Sequence, residues 1–214
     1  MHPHTKVVFG HGFGFASNFW QPMLPYFSEY NCILTEAHYF SQDKPDQSEI
    51  DYNDISIGIG HSLGFWKLCE TLPNAKYLIG INPFTDFLGK SNLLRSSRMA
   101  EFDAFKENIH QFPENALKQF YRRCGVTFNQ IDLDYINSEK LMSDLMLLTK
   151  PIKLDTEKKI LVIHAKDDLV VPNHVIEDNF LDSQVTLHAF EKGKHGLGMT
   201  YPKAVSEVIL DFIQ

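Results

Sequence analysis

The chain has 214 residues, of which 43% are hydrophobic and 22% charged, and its formal net charge is −7. This length and composition predict one globular domain that buries a full core. The negative charge argues against general affinity for nucleic acid, and no apolar run reaches the ~18 residues that a membrane span requires. Cys32, Cys69 and Cys124 lie far apart without metal-ligand spacing, and the N-terminus shows no export signal. Both features favour a cytoplasmic protein with reduced thiols.

The first predicted elements are a short apolar strand, Lys6–Gly10, and a glycine-rich loop after it. Ser17 or Asn18 is then in position to cap a helix. The helix is predicted because its apolar residues share one face: Phe19, Trp20, Met23, Leu24 and Phe27. A second strand is predicted over 31–36, and the polar segment over 41–51 is expected to be a surface connection.

The next stretch combines a buried strand with a G-x-S-x-G motif. Ile55, Ile57 and Ile59 alternate with small residues, which is typical of a strand packed on both faces. The pentapeptide Gly60-His61-Ser62-Leu63-Gly64 follows, and a helical pattern begins after it. A serine held on a strained turn between strand and helix is exposed for nucleophilic attack, and the glycines allow the turn to pass close to its neighbours. The motif in this context predicts a nucleophilic serine.

The rest of the chain alternates strands and helices, with one interruption. Further strands are predicted over 77–82, 159–164 and 184–190, with helices over 173–179 and 203–213. Between the strands lie three helical patterns: 101–111, 114–124 between Pro113 and Gly125, and one capped by Ser138. Alternation of this kind predicts a largely parallel sheet. We therefore expect an α/β core from 1–82 and 152–214, with a helical lid inserted over 83–151.

A nucleophilic serine needs a base, and His195 is the candidate among ten histidines. It lies in a glycine-containing loop directly after the last predicted strand. Because the carboxyl ends of parallel strands meet at one edge of the sheet, this loop and Ser62 are expected at the same edge. His61 is expected to point beneath the turn in a structural role.

The acid that orients the histidine has two adjacent candidates, Asp167 and Asp168. They follow the strand over 159–164 and precede Val170-Val171-Pro172. Adjacent carboxylates on a loop usually form a solvated turn, but an acid at this point completes the chain order of serine, acid and histidine. The residues alone leave the choice between the two aspartates open.

Attack on a carbonyl also requires N–H donors for the developing oxyanion. The backbone N–H of Leu63 comes directly after the nucleophile. The second donor is expected from the loop after the first strand, where Phe13 N–H is the candidate. The glycine spacing of this loop does not match a dinucleotide-binding motif, and no histidine or cysteine spacing indicates a metal. No cofactor is therefore implied.

Four motifs in this order resemble those of the α/β-hydrolases: His11-Gly12-Phe13-Gly14, the pentapeptide around Ser62, Asp168-Leu-Val-Val-Pro172 and Lys194-His195-Gly196. The resemblance covers almost the whole chain and implies a mostly parallel sheet with flanking helices and an inserted helical lid. In that family the aspartate typically falls four residues before the proline, which selects Asp168. The chain departs from the pattern in two ways. Its first strand corresponds to the family's third, and Phe65 replaces a common glycine, which is expected to alter packing of the elbow helix.

Within the superfamily, the chain is most similar to the pimeloyl-[acyl-carrier protein] methyl ester esterases of biotin synthesis. The similarity lies in the opening H-G-F-G-x-x-x-x-x-W, from His11 to Trp20, and in the lid pattern of Phe102, Phe105 and Lys118-Gln119-Phe120. The resemblance implies a carrier-linked methyl ester as substrate.

The lid region differs in charge from the rest of the chain. Residues 90–124 hold seven Lys or Arg and four Asp or Glu, a net of +3, which leaves −10 on the remainder. A basic lid fits docking of an acidic carrier protein, with Arg122 and Arg123 as the expected docking residues, although a solvated helix face is an equal alternative. An apolar acyl pocket is expected between lid and core. Its expected residues are Phe13, Trp66, Phe84, Phe87, Phe105 and Phe120, although most such aromatic residues belong simply to the core.

These expectations together describe a monomeric serine carboxylic-ester hydrolase. Ser62 attacks, His195 transfers the proton, Asp168 fixes the imidazole, and water hydrolyses the acyl-enzyme. The expected partners are a small acyl ester and an acyl-carrier protein. An acyl thioesterase or a general short-chain carboxylesterase is the nearest alternative, because these three residues do not report the leaving group. A non-hydrolytic acyl- or carrier-binding module is the alternative from another class.

Overall fold

A computed structural model describes residues 5–40, 50–127, 135–181 and 183–214, so most of the surface connection expected over 41–51 lies outside the described residues. Within them, six strands form one sheet in the order β2-β1-β3-β4-β5-β6, and every neighbouring pair is parallel. The predicted α/β alternation is confirmed. The strands are β1 Lys6–Gly10, β2 Asn31–Leu34, β3 Ile57–His61, β4 Tyr77–Ile81, β5 Lys159–Ala165 and β6 Thr186–Phe190.

The centre of the sheet is buried on both faces. Every residue of β3 and β4 is buried, as expected when helices cover both sides of a parallel sheet. Gly60 of β3 pairs with Gly10 of β1 and Gly80 of β4, and Gly80 pairs with Val162 of β5. These strands therefore end at nearly the same level, which brings the loops that follow them to one edge of the sheet.

The helices follow the sequence pattern closely in type and less closely at their ends. They are α1 Leu63–Thr71, α2 Asn92–Gln111, α3 Pro113–Cys124, α4 Ser138–Leu147, α5 Asn173–Phe180, α6 Leu197–Thr200 and α7 Pro202–Ile213. Helix α2 starts well before the predicted position because the Ser91 side chain accepts the Leu94 N–H. Helix α4 is capped by Asn137, not by Ser138 as predicted. In the part of the chain that is described, none of the helices has the length and apolar character needed to cross a membrane.

The helix predicted after Ser17 is wrong in type. Two short 3-10 helices, Ser17–Trp20 and Leu24–Phe27, occupy this stretch, and neither begins with a side-chain cap. Pro22 and Pro25 explain the difference, because proline lacks the N–H that continues an α-helix. The predicted burial is confirmed for the large aromatic side chains, Phe19, Trp20 and Phe27.

Helices α2, α3 and α4 lie between β4 and β5, and we call them the helical insertion. Asp144 of α4 ties the insertion to the core, because its carboxylate accepts hydrogen bonds from Tyr39 and Lys67 at 2.6 Å and from Lys140 at 2.9 Å. Burial opposes ionisation of Asp144, but Lys67 and these hydrogen bonds hold the pKa of its carboxyl below the usual range. Since Lys67 belongs to α1, the insertion is anchored directly to the helix that follows Ser62.

Candidate active site

Ser62 lies on a sharp turn between β3 and α1, with φ 51° and ψ −120°. A positive φ is uncommon for a residue with a side chain and marks local strain. The turn needs its flanking glycines, because a Cβ on Gly60 would lie 2.3 Å from Phe65 Cα and one on Gly64 would lie 2.0 Å from the Gly10 carbonyl oxygen. The side chain of Phe65 is fully buried and packs edge-on against Phe180 of α5. Phe65 therefore packs inside the core beneath the turn.

His195 and Asp168 form a buried pair. The His195 Nδ1–H donates to Asp168 Oδ2 over 2.7 Å, and the two residues are only 1% and 2% exposed. The other carboxylate oxygen accepts the N–H groups of Val170 and Val171, at 2.7 and 3.0 Å. These bonds orient the carboxylate and place the imidazole proton on Nδ1. Nε2 is then left as the nitrogen that can accept a proton.

The pair lies beside the serine turn. His61, directly before Ser62, has its ring 4.6 Å from the His195 ring. Phe120, whose ring is 6.4 Å from His195, lines the same cavity as Ser62. The structure places no hydrogen bond between Ser62 Oγ and the imidazole, and catalytic bonds of this kind commonly tighten only when substrate binds.

Two backbone N–H groups are available next to Ser62. Leu63 N–H opens α1 and so lacks an intrahelical acceptor, and neither it nor Phe13 N–H has an acceptor among the described residues. The loop that carries Phe13 lies against the turn, since a Cβ on Gly12 would be 3.1 Å from Ser62 Cβ. His11 fixes this loop, because its Nδ1–H donates to the Gly12 carbonyl over 2.9 Å and its Nε2 lies 3.3 Å from Glu36 Oε1.

Asn82 is a positioning residue that sequence analysis missed. Its Nδ2 donates to the carbonyls of Lys194 and His195 at 2.8 and 2.9 Å, while Oδ1 accepts the Ala165 N–H at 2.9 Å. It thus joins the end of β5 to the loop that carries His195. In the sequence, the feature that points to this role is a single polar residue, Asn82, directly after the apolar strand β4.

His61 has the structural role that the sequence predicted. Its Nε2–H donates to the His195 carbonyl over 2.9 Å. Burial, and then the nearby His195, lower the pKa of His61 well below its usual value. The side chain is therefore a neutral support for the histidine loop.

The histidine loop is also tied to the acid loop and to α3. Asp167 accepts the Lys194 N–H over 2.8 Å. The Cys124 carbonyl, at the end of α3, accepts the Gly196 N–H over 2.8 Å. The two adjacent aspartates therefore do different things, Asp168 contacting the imidazole and Asp167 the backbone beside it.

A cavity of about 290 Å³ opens beside Ser62. Of the residues expected in the pocket, Phe13, Phe87, Phe105 and Phe120 line it. Two other expected pocket residues do not line it. Trp66 donates its indole N–H to the Lys150 carbonyl over 2.8 Å, and Phe84 is fully buried against Phe87. Lining residues that were not expected in the pocket come mainly from the helical insertion: Arg98, Glu101, Asn108, Gln119 and Leu148.

The expected docking residues Arg122 and Arg123 are both exposed. Arg123 donates to the Leu169 carbonyl over 2.8 Å and lines the cavity, whereas Arg122 does not. Several other cations of the region are paired with acids: Arg95 with Asp86, Lys106 with Asp103 and Lys118 with Glu114. The basic surface is therefore smaller than the charge count alone suggests.

The arrangement contains the parts needed for acyl transfer through a covalent intermediate. In such chemistry a serine serves as nucleophile, a histidine oriented by a carboxylate as base, and two N–H donors as oxyanion site, and residues of each type are present here. Among the described residues, no group of three or more His, Cys, Asp or Glu side chains is placed to hold a metal ion.

No protein-family model and no curated protein sequence matches the chain. Solved structures do share its fold. An esterase (EaEST) from Exiguobacterium antarcticum superposes with a TM-score of 0.77 at 17% identity, over 98% of this chain and 91% of that one. A bromoperoxidase from Bacillus anthracis superposes with a TM-score of 0.71 at 18% identity, over 98% of this chain and 92% of that one. An epoxide hydrolase from Bacillus megaterium superposes with a TM-score of 0.70 at 15% identity, over 98% of this chain and 93% of that one.

The chain therefore has the α/β-hydrolase fold, as the sequence predicted. Its structural neighbours are named for different reactions, among them ester hydrolysis, epoxide hydrolysis and bromoperoxidation. A shared fold does not choose between such reactions, because function depends on the side chains placed in the site.

Proposed function

We propose that the protein is a serine hydrolase that cleaves carboxylic esters. The observation that carries the proposal is Ser62 on a strained turn facing a cavity, beside the buried His195–Asp168 pair. A non-hydrolytic binding module has no need for a histidine whose proton is fixed by a buried carboxylate. The mostly apolar cavity suits an acyl chain.

In the proposed reaction, Ser62 Oγ attacks the ester carbonyl carbon while His195 Nε2 takes the hydroxyl proton. The carbonyl oxygen becomes an oxyanion that accepts hydrogen bonds from Phe13 and Leu63 N–H. His195 then passes the proton to the leaving alkoxy oxygen, and the C–O bond breaks to give an acyl-enzyme and an alcohol. Water, activated by the same histidine, hydrolyses the acyl-enzyme. Asp168 stays ionised and stabilises the imidazolium at each step.

A fluorophosphonate probe tests this proposal, because it reacts only with an activated serine. We expect labelling of the wild-type protein at Ser62, located by mass spectrometry of the labelled peptide. Ser62→Ala should abolish labelling, whereas Ser206→Ala, which alters a buried hydroxyl in α7, should retain it. Absence of labelling in folded wild-type protein, or labelling at another serine, would contradict the proposal.

We further propose that the substrate is pimeloyl-[acyl-carrier protein] methyl ester, hydrolysed by a cytoplasmic monomer in biotin synthesis. The sequence resemblance supports this, as do the apolar cavity and the exposed Arg122. A carrier-linked substrate of this kind holds a methyl ester and a thioester in one molecule. Mass spectrometry of the reacted carrier therefore distinguishes the two activities, since an esterase removes methanol and leaves the acyl chain attached, whereas a thioesterase releases the whole chain.

Carrier docking has a separate test at Arg122 and Arg123. Surface charges act mainly on encounter rate and are screened by salt. Arg122→Glu, alone or with Arg123→Glu, should raise KM for the carrier-linked ester and flatten its salt dependence. The single variant leaves the cavity lining intact and should not change hydrolysis of a small ester. An equal loss on both substrates would indicate damage to the helix and would contradict docking.

A further inference from the structure

Two arginines of the helical insertion share the cavity with Ser62 and have no carboxylate partner. Arg98 comes from α2 and Arg123 from α3, and both line the cavity. Arg98 is only 6% exposed. Within the described residues, neither guanidinium forms an ion pair with an Asp or Glu side chain. Because a buried charge is costly unless it is paired, this arrangement requires an explanation.

Neutral groups hold both guanidiniums in place. Arg98 donates Nε–H to the Phe87 carbonyl over 2.7 Å and Nη2–H to the Val170 carbonyl over 3.0 Å, and it lies over the Phe87 ring at 4.3 Å. Arg123 donates Nη2–H to the Leu169 carbonyl over 2.8 Å. A guanidinium has five N–H donors. Within the described residues, Nη1 of each arginine has no acceptor, so both groups are oriented but keep donors for a ligand.

Two carboxylates, Glu101 and Asp168, lie near the arginines, but within the described residues neither forms an ion pair with them. Burial lowers the pKa of Arg98, Glu101 and Asp168 act in the opposite direction, and the positive charge of Arg123 lowers it again. The two guanidiniums bond the carbonyls of adjacent residues, Val170 and Leu169, so they lie close enough to repel each other. Glu101 is the one acid among the lining residues, and Asp168 is already engaged by His195. An anion placed between the arginines would relieve the repulsion and use their remaining donors.

We propose that Arg98 and Arg123 bind an oxyanion group, a carboxylate or a phosphate, that the ester substrate carries away from its scissile bond. This inference rests on the proposed function and narrows its substrate class. The aromatic rings of Phe102, Phe105 and Phe120, which line the same cavity, suit an apolar chain that links the ester at Ser62 to the anion. Paired arginines present the planar, forked donors that bind carboxylate and phosphate groups.

Three methyl esters with the same acyl length test the inference: methyl hexanoate, monomethyl adipate, and a methyl hexanoate that ends in a phosphate. Comparison of the two anionic esters shows whether the site prefers a carboxylate, as in a free diacid half-ester, or a phosphate. For wild-type protein, we expect kcat/KM for at least one anionic ester to exceed that for the neutral ester about 10-fold or more. Arg123→Gln should lower kcat/KM for that anionic ester by about 10- to 100-fold, the usual loss when a charged group loses a hydrogen-bond partner. The neutral ester should lose much less, because it loses only the support that the Leu169 contact gives to the acid loop.

Arg122→Gln is the matched control, because Arg122 is the neighbouring arginine of the same helix and lies outside the cavity. It should leave the ratio between anionic and neutral esters unchanged. Arg98→Gln is a second variant, and it also removes the Val170 contact beside Asp168. It should therefore slow all three esters, with the larger loss on the anionic one.

Binding provides a readout that does not depend on turnover. Adipate and inorganic phosphate should be titrated into wild-type, Arg122→Gln and Arg123→Gln protein by isothermal calorimetry. We expect at least one of the two anions to bind the first two proteins and to lose about 10-fold or more in affinity for the third. Ester hydrolysis that depends on Ser62 but shows no anion preference and no such binding would overturn the inference while leaving the proposed function intact. Anion binding lost in Arg123→Gln, in a protein whose Ser62 resists fluorophosphonate, would instead uphold the anion site and refute ester hydrolysis.

Discussion

Ser62, the proposed nucleophile, and the loop of His195, its proposed base, are held by different kinds of interaction. The turn at Ser62 is fixed by close backbone packing, since neither Gly60 nor Gly64 has room for a Cβ. The histidine loop is fixed by hydrogen bonds with the side chains of Asn82, His61 and Asp167. Steric packing of this sort is concentrated in a few consecutive residues, whereas the polar contacts connect distant parts of the chain. We therefore expect a single substitution at a glycine of the turn to disrupt the whole turn. A single substitution around the histidine loop should remove only one or two of its hydrogen bonds.

The largest effects are expected at the turn. Ser62→Ala should lower kcat for ester hydrolysis by about 10⁴-fold or more, because no other described hydroxyl is placed beside the base. The variant should keep its midpoint of thermal unfolding, since Ala adds no atom to the turn. Gly64→Ala should instead disrupt folding, because its Cβ would meet the Gly10 backbone. Circular dichroism with thermal unfolding measures both, and a folded, active Gly64→Ala protein would contradict the steric argument.

The next effect separates the two aspartates. Asp168→Asn should lower kcat by about 10⁴-fold, since an amide at this position disturbs the tautomer of the orienting bond to His195. Asp167→Asn should be nearly silent, because its amide oxygen still accepts the Lys194 N–H. Steady-state kinetics on a short p-nitrophenyl ester makes the comparison. Reversed effects would mean that the structure has the wrong acid against the imidazole.

A smaller effect is expected at Asn82. Asn82→Asp keeps the acceptor for the Ala165 N–H but replaces a donor with oxygen facing the carbonyls of Lys194 and His195. Asn82→Gly removes the side chain and tolerates the backbone φ of 47°. Both variants should lower kcat by about 10- to 100-fold, the cost of one or two lost hydrogen bonds, and should slow fluorophosphonate labelling of Ser62. Unchanged kcat in both would show that the loop does not depend on this residue.

The smallest effect on catalysis is expected at Glu36, which supports the loop of Phe13. Its replacement should appear mainly as a loss of stability. Burial raises the pKa of Glu36, but hydrogen bonds from His11 and Ser17 outweigh it and bring the pKa to about 2. A depressed pKa means that the ionised group stabilises the fold above pH 5, and that this contribution is lost as the pH falls towards about 2. Glu36→Gln should therefore lower the free energy of unfolding at pH 6 by up to about 3 kcal/mol. The difference from wild type should shrink at pH 3, as urea denaturation at both pH values would show. A difference independent of pH would contradict this role.

The same contrast explains what the sequence could reveal. The turn, the strands, and α3 between Pro113 and Gly125 rest on local patterns, and these were predicted. The helix after Ser17 was predicted wrongly, because Pro22 and Pro25 outweighed an amphipathic pattern. The roles of Asn82 and Arg98 depend on contacts with residues 112 and 72 positions away, and no local pattern reports such pairs. The division of the aromatic residues between cavity and core also depends on tertiary packing, so Trp66 and Phe84 were indistinguishable from Phe105 and Phe120.

The hydrogen bond between the Cys124 carbonyl and the Gly196 N–H has a consequence for the timing of turnover. A movement of α3 that widens the cavity breaks this bond, and it also breaks the contact of Arg123 with the acid loop. A motion of this kind would therefore loosen the loops that carry both His195 and Asp168. An open molecule of this kind is slow at chemistry, and a closed one is slow to exchange ligands. For substrates that enter by this motion, the rate at which the end of α3 closes again would set an upper limit on kcat.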